Sequence, residues 1–295
     1  MMTPMRIRGK ELHVEVFGEQ RSPAVLFLHG GPGESCYEFV RHQAEMLAAH
    51  LFVIAIDQRG VCRSEAILAD EPFELQDLIE DCEDLRRQLE IKSWSVIGHS
   101  FGGYLGLMYA VRYPESIHKI VFECPTFHFG WTAKSLLKKA SGLFESIGDS
   151  ERSEQCLQLA EENLPAEQLF NRYLELGEAL GDRKGQLYSN REIATDYSLY
   201  SDEEWDEFAD RTDTHLRRLQ EDGKMFESAV PLLSRLTAPS LLIIGDHDPV
   251  TCEHHVQAYS GTEQGRIVIV KDCGHTPHSE QPDIFCDTIS RFIVT

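Results

Sequence analysis

The chain has 295 residues, of which 42% are hydrophobic and 26% are charged, values typical of a folded globular protein. Its formal net charge is −21 and no block of Lys and Arg forms a basic stripe, which argues against nucleic acid as a partner. The first residues lack a signal-like apolar segment, and the longest apolar runs are too short to span a membrane. We therefore expect a cytoplasmic protein that does not bind membranes.

Apolar strands alternate with helical patterns along the chain. Residues 12–16 alternate apolar and polar side chains, which predicts an antiparallel strand near a sheet edge. The later apolar runs are continuous, as expected for parallel strands buried on both faces. These runs lie at residues 25–28, 52–56, 94–97, 120–122, 241–244 and 267–270.

Helical patterns separate several of these strands. Apolar side chains recur at helical spacing over residues 75–89, and a second helix is predicted from just after Ser100 to near Pro114. This alternation is typical of an α/β fold, with a mostly parallel central sheet flanked by helices.

Residues 127–235 interrupt the alternation, because they are helical, polar and acidic and contain no convincing strand. An insertion of this size after a strand would lie over the carboxyl edge of the sheet, where α/β proteins bind ligands. We predict a core domain of residues 1–126 and 236–295 and a helical cap domain of residues 127–235. The acidic run at 202–207 is interpreted as a solvated helix face.

The sequence His-Gly-Gly-Pro-Gly at residues 29–33 follows the first buried strand. Glycines let backbone N–H groups approach a reacting atom closely, and Pro32 stiffens the turn. Fixed N–H donors of this kind stabilise negative charge on a carbonyl oxygen in a transition state. A purely structural glycine-rich turn is the alternative at this point.

A second motif, Gly-His-Ser-Phe-Gly at residues 98–102, lies between a predicted strand and a predicted helix. This is the context of a nucleophile elbow, with Ser100 on a strained turn. The backbone N–H of Phe101 is then one oxyanion donor, and that of Gly31 is the candidate for the second.

Two further motifs supply a carboxylate and an imidazole, each after its own strand. Asp248 is the candidate that orients the imidazole, while Asp246 is interpreted as a turn residue. His275 is the candidate general base, and His278 is predicted to lie on the surface. The order Ser100, Asp248, His275 is the one found in α/β-hydrolases.

The eight cysteines are scattered, without C-x-x-C pairs, and are expected to be free thiols. Cys273 lies close to His275, but no second group of Cys and His residues completes a coordination shell, so we predict a buried side chain and no metal site.

Residues 29–33, Asp-Gln-Arg-Gly-Val-Cys-Arg-Ser at 57–64, and Gly274-His275 with Glu280-Gln281-Pro282 resemble the proline iminopeptidase (prolyl aminopeptidase) group of α/β-hydrolases. The resemblance covers about residues 10–126 and 236–293. It implies an α/β-hydrolase fold and release of an N-terminal residue, often proline, through an acyl-enzyme on Ser100. It also implies that no metal or organic cofactor takes part, and that carboxylates hold the free amine of a short-peptide substrate.

The acidic cap offers candidate amine-binding residues, and aromatic residues near the predicted site either line it or pack in the core. Alternatives remain open, because the elbow motif with its following Gly103 is also common among esterases. A carboxylesterase or lactonase acting on small acyl esters, and a non-catalytic receptor, are the other hypotheses. Epoxide hydrolases and dehalogenases use a carboxylate nucleophile where this chain has Ser100. The candidate substrate-binding residues are Glu192, Glu203, Glu204, Glu207, Tyr104 and Trp131.

Overall fold

A computed structural model describes residues 2–295, with the side chains of residues 4–295. Eight strands form one sheet: β1 (Met2–Ile7), β2 (Lys10–Phe17), β3 (Ala24–Leu28), β4 (Phe52–Ile56), β5 (Trp94–His99), β6 (Ile117–Glu123), β7 (Ser240–Gly245) and β8 (Gly265–Val270). Their order in the sheet is β1-β2-β4-β3-β5-β6-β7-β8. Strands β3 to β8 are mutually parallel, whereas β2 runs antiparallel to β4 and pairs with β1 in an antiparallel hairpin.

Helices cover both faces of the sheet, and a run of helices lies between β6 and β7. Strand β3 shows the two faces, because Leu26 and Leu28 pack in one hydrophobic core while Val25 and Phe27 pack in the other. The helices are α1 (Tyr37–Phe39), a π-helical turn (Val40–Ala44), α2 (Glu45–Ala48), α3 (Leu75–Gln88), α4 (Phe101–Arg112), α5 (Phe129–Ser146), α6 (Ser150–Glu161), α7 (Ala166–Glu178), α8 (Asp202–Asp222), α9 (Glu253–Tyr259), α10 (Pro277–Glu280) and α11 (Pro282–Val294), with 3₁₀ turns at Pro114–Ser116, Gly181–Leu187, Lys224–Phe226 and Val230–Arg235.

The two ends of the sheet compare differently with the sequence-based expectation. Strand β2 is antiparallel and lies next to the edge strand β1, which agrees with the prediction of an antiparallel strand near a sheet edge. The prediction that residues 267–270 are buried on both faces is wrong, since β8 is the last strand and Ile267 and Ile269 are 38% and 55% exposed. A run of β-branched residues indicates a strand, but it does not show whether other parts of the protein cover both faces of that strand.

The insertion between β6 and β7 consists of helices and loops, with no helix at residues 188–201, and no strand occurs in residues 127–235, all of which the structure describes. Helix α8 is fastened to the loop after β4: Nδ1 of His215 is hydrogen-bonded to the carbonyl of Arg59 at 2.7 Å, and Arg211 donates to the carbonyl of Cys62 at 3.1 Å. None of the helices in the described chain has both the length and the apolar character needed to cross a bilayer.

A buried ion pair supports the loop at residues 29–33. Asp57, at the end of β4, is fully buried and accepts hydrogen bonds from Nε and Nη2 of Arg63 at 2.7 and 2.9 Å, and from the backbone N–H of Cys36 at 2.9 Å. Burial alone would raise the pKa of Asp57, but Arg63 outweighs it and lowers this pKa to about 2. The next residue, Gln58, donates its backbone N–H to Nε2 of His29 at 3.0 Å.

We predict that Asp57→Ala lowers the free energy of unfolding by about 3 to 5 kcal/mol, because it leaves the buried guanidinium of Arg63 short of a partner. Chemical denaturation measures this loss. Arg291→Ala, which breaks an exposed pair with Asp287, is the control and should cost about 1 kcal/mol or less. Equal losses in the two variants would contradict the role of the buried pair.

Candidate functional site

Ser100 lies on a sharp turn between the end of β5 and the start of α4. Its backbone angles are φ 53° and ψ −117°, a strained conformation for a residue with a side chain. The turn is possible because glycines flank it: a Cβ on Gly102 would lie 2.0 Å from the carbonyl oxygen of Leu28, and one on Gly98 would lie 2.3 Å from that of Gly102. Phe101 is the first residue of α4, where backbone N–H groups have no partner within the helix.

His275 and Asp248 form a buried pair. Nδ1 of His275 lies 2.8 Å from Oδ1 of Asp248, and both side chains are at most 4% exposed. Asp248 also accepts the backbone N–H groups of Val250 and Thr251 at 2.9 and 3.0 Å. Burial favours the neutral acid, but His275 and these N–H groups outweigh it and hold the pKa of Asp248 below its ordinary value.

The pair lies close to the residue that precedes the serine. The ring of His275 is 4.7 Å, centroid to centroid, from the ring of His99, the residue directly before Ser100. No hydrogen bond to Oγ of Ser100 is formed by the residues that the structure describes. In enzymes without substrate such catalytic contacts are often long, and they tighten when substrate binds.

Two other residues near the pair, Asp246 and Cys273, lie in the loops after β7 and β8. Asp246 accepts the backbone N–H of Cys273 at 3.2 Å and so links the loops after β7 and β8. Cys273 itself is buried.

The prediction that His278 lies on the surface is wrong, because it is only 3% exposed. Its backbone N–H and its Nδ1 both contact Oε1 of Glu123, at 2.8 and 2.9 Å, so this carboxylate at the end of β6 holds His278 in the interior.

Glu280 of the Glu-Gln-Pro motif fixes the loop that carries His275. Its Oε2 accepts the backbone N–H of Gly274 and that of Asn190, each at 2.9 Å. The backbone N–H of His275 donates to the carbonyl of Tyr188 at 2.9 Å. The inserted segment therefore contacts the imidazole-bearing loop directly, and the motif acts through Glu280 as a support rather than at the reacting atoms.

Two cavities open at the site. One of about 150 Å³ contains Ser100 and Gly31, and apolar and aromatic side chains of the insertion form most of its walls. The other, of about 710 Å³, is polar and contains His275. Gly31 has φ 104° and lies beside Ser100 in the smaller cavity, the position expected of the second oxyanion donor. Residues lining the smaller cavity include Pro32, Thr126, Phe129, Leu136, Phe170 and Tyr188.

The acidic candidates for substrate binding lie in two places. Glu192 lines the 710 Å³ cavity together with His275. Glu203, Glu204 and Glu207 lie on the first two turns of α8 and are exposed. Glu204 caps this helix by accepting the backbone N–H of Ser201 at 2.8 Å, and Glu207 forms an ion pair with Arg211.

The two aromatic candidates do not line either of these cavities. Tyr104 is buried, and its hydroxyl donates to the carbonyls of Lys224 and Glu227 at 3.1 and 3.2 Å. Trp131 stacks on His128 with a centroid distance of 4.8 Å. Their contacts are those of packing residues.

A buried group that sequence reasoning missed lies behind the serine. Potential ligand atoms of His99, Glu123 and His278 lie within 4.8 Å of one another, as do those of Cys124, Asp248 and His275. With Glu123 as its acceptor, Nδ1 of His278 carries the proton and offers no lone pair to a metal. In the second group, burial raises the pKa of the Cys124 thiol well above its ordinary value, which disfavours the thiolate that a metal requires. The donor sets therefore fit hydrogen-bonded pairs better than metal sites.

Comparison with known proteins agrees with this geometry. The family model described as the alpha/beta hydrolase fold matches residues 23–282. The chain belongs to the α/β-hydrolase family. The fold predicted from the sequence is confirmed.

This α/β-hydrolase resembles proline iminopeptidases. It is 27% identical to the proline iminopeptidase of Heyndrickxia coagulans over 279 residues, which cover 91% of this chain and 90% of the relative. It is also 36% identical to epoxide hydrolase 4 of Mus musculus, over 139 residues that cover 47% of this chain and 38% of the relative. Among solved structures, a proline iminopeptidase-related protein of Thermus thermophilus has the same fold, with a TM-score of 0.75, 22% identity, and coverage of 99% of this chain and 96% of that one.

We predict that Gly102→Ala destabilises this α/β-hydrolase by at least about 2 kcal/mol, because the added methyl group would meet backbone rather than a side chain that can move. Thermal unfolding measures the change. Gly142→Ala is the matched control: this glycine lies inside α5 with no atom within 4 Å of the added Cβ, so the change should stabilise by up to about 1 kcal/mol. Tolerance of Gly102→Ala would contradict the tight crossing described here.

Proposed function

We propose that the chain is a serine hydrolase that forms an acyl-enzyme on Ser100. The observation that carries this proposal is the 2.8 Å contact between His275 and Asp248 at the edge of the sheet where the strained elbow presents Ser100. Strain of this kind persists where the surrounding structure enforces it, and it is common at active sites. A receptor would have no need of this arrangement.

The chemistry follows from the tautomer that Asp248 selects. Because Nδ1 of His275 donates to Asp248, its Nε2 carries a lone pair and can take the proton of Ser100. The serine oxygen attacks the substrate carbonyl, and the backbone N–H groups of Gly31 and Phe101 stabilise the oxyanion. His275 then gives its proton to the leaving group. Water then attacks the carbonyl carbon of the acyl-enzyme while His275 takes its proton, and the ester bond to Ser100 breaks as His275 returns that proton to the serine oxygen.

The substrate class that we propose is a peptide with a small apolar N-terminal residue, such as proline. Relatives named proline iminopeptidase align over most of the chain. The cavity beside Ser100 is small and mostly apolar, which suits a compact hydrocarbon side chain. The larger polar cavity beside His275 has room for the departing peptide.

We also propose that residues 127–235 act as a cap domain on a core of residues 1–126 and 236–295. Helices α5 and α7 supply Phe129 and Phe170 to the cavity beside Ser100, so the insertion forms the roof over the nucleophile. Excluding water there strengthens the interactions that stabilise a developing charge.

A carboxylesterase or lactonase acting on small acyl esters is the second candidate. No carboxylate is among the described residues that line the 150 Å³ cavity, so a neutral acyl group without an amine would also be accommodated there.

We predict that Ser100→Ala abolishes hydrolysis and labelling by a fluorophosphonate probe, because the nucleophile is lost. Asp248→Asn should lower kcat by about 10⁴-fold, since an amide favours the wrong tautomer of His275. Steady-state kinetics and mass spectrometry of the labelled protein measure these effects. Asp246→Asn, a neighbouring aspartate outside the pair, is the control. A native protein that takes up no fluorophosphonate would favour the receptor instead.

We predict that the enzyme cleaves proline and alanine naphthylamides, and that acetylation of the substrate amine lowers kcat/KM by at least about 10-fold, the loss expected for a missing charge-assisted hydrogen bond. Equal cleavage of the free and acetylated substrates, together with rapid turnover of short acyl esters, would assign the enzyme to the esterases.

A further inference from the structure

Glu34, the residue directly after the glycine-rich loop, lies close to the nucleophile. A methyl group built on Gly30 would be 2.6 Å from Oε2 of Glu34 and 2.9 Å from Cβ of Ser100, so these two atoms are at most about 5.5 Å apart. The position is therefore within reach of a group attached to the carbon next to a carbonyl that Ser100 attacks.

The carboxylate of Glu34 has an accessible face. Its side chain is 54% exposed, and it lines two cavities: the 710 Å³ cavity that contains His275 and a neighbouring one of about 300 Å³. This exposure is toward the interior of the cleft, and the surrounding protein still raises the pKa of the carboxyl through burial. An ammonium group placed beside it would favour the ionised form again.

Among the residues that the structure describes, no Lys or Arg forms an ion pair with Glu34. The basic group within 4 Å of its carboxylate is Nε2 of His99, at 3.9 Å. Burial, together with the neighbouring imidazoles of His275 and His278, holds the pKa of His99 well below its ordinary value, so this ring is neutral near pH 7. The imidazoles of His275 and His278 lower the pKa of Glu34 from farther away, but His275 is hydrogen-bonded to Asp248 and His278 to Glu123. The carboxylate of Glu34 is therefore available for a direct ion pair with a positively charged group of a ligand.

We propose that Glu34 binds the α-ammonium group of the substrate's N-terminal residue and is the residue that selects substrates with a free amine. The inference rests on the proposed aminopeptidase function and gives it a specific amine-binding residue. Glu34 takes the place of the acidic residues at the start of α8 as the candidate amine-binding residue. Of those residues, Glu204 caps the helix and Glu207 forms an ion pair.

The parts of the substrate around the scissile bond then have separate places. The carbonyl lies at Ser100 and the ammonium at Glu34, while the side chain enters the 150 Å³ cavity and the peptide departs through the cavity at His275. In the acyl-enzyme the ammonium nitrogen is four bonds from Cβ of Ser100. A charge-assisted hydrogen bond of about 2.8 Å between this nitrogen and the carboxylate of Glu34 spans the remaining distance.

The test compares Glu34→Gln with the native enzyme on alanine p-nitroanilide, on its N-acetylated form and on p-nitrophenyl butyrate. We expect kcat/KM for the free-amine substrate to fall about 10- to 100-fold, mainly through KM, because a hydrogen bond to a charged group is lost. The ratio of free-amine to acetylated activity should fall with it. Glu34→Asp, which keeps the charge, should restore part of the selectivity.

Glu192→Gln is the matched control, because it removes the same charge from the cavity that contains His275. If Glu192→Gln loses the selectivity and Glu34→Gln keeps it, the assignment to Glu34 is overturned. An equal fall on all three substrates after Glu34→Gln would also overturn it, since the residue would then act on the nucleophile rather than on the amine.

Failure of the proposed aminopeptidase function would give results different from those that overturn the assignment to Glu34. If the native enzyme turns over the butyrate ester and neither anilide, it is not an aminopeptidase. Alaninamide is then tested as a competitive inhibitor of ester hydrolysis. Inhibition that weakens at least 10-fold in Glu34→Gln would support an ammonium site at Glu34 without peptidase activity, whereas equal inhibition of the two proteins would reject that site as well.

Discussion

The close crossing of helix α4 over the ends of β3 and β5 is the constraint on which the site depends. Where Gly102 passes the carbonyl of Leu28, a single methyl group would meet backbone at 2.0 Å. This approach forces Ser100 into its positive-φ conformation and brings it beside the loop that follows Leu28. Ser100 and Gly31, the candidate oxyanion donor, are therefore brought next to each other by one backbone contact.

Buried charges outside the site hold the surrounding loops in place. Asp57 and Arg63 fix the loop after β4, and Gln58 in that loop hydrogen-bonds His29 at the base of the glycine-rich turn. Glu280 performs the same task on the other side, where it joins the loop of His275 to the inserted segment. Asp57, Arg63 and Glu280, which lie in segments that resemble proline iminopeptidases, therefore act as supports. They hold the loops around the site and do not line the cavity that contains Ser100.

The ends of the buried strands could be read from the sequence because each chemical motif follows an apolar run with a glycine turn. The same reasoning failed where the outcome depends on distant parts of the chain. Whether β8 is covered depends on its being the last strand of the sheet, and whether His278 is buried depends on Glu123, more than 150 positions earlier. The sequence does not single out Glu34, because its proposed role depends on its distance from Ser100, and a local pattern contains no such distance.

The two sides of the site differ in polarity, and this difference bears on the direction in which the proposed substrate would enter. Apolar walls surround Ser100 on the side of the insertion, whereas carboxylates lie on the side of His275, where burial and its imidazole neighbours keep His99 neutral. With a net charge of −21, the field of the whole protein attracts cations and repels anions. For the proposed aminopeptidase, this asymmetry would draw an ammonium group to the acidic side and a hydrocarbon group to the apolar cavity, and it would disfavour acyl groups that carry a negative charge.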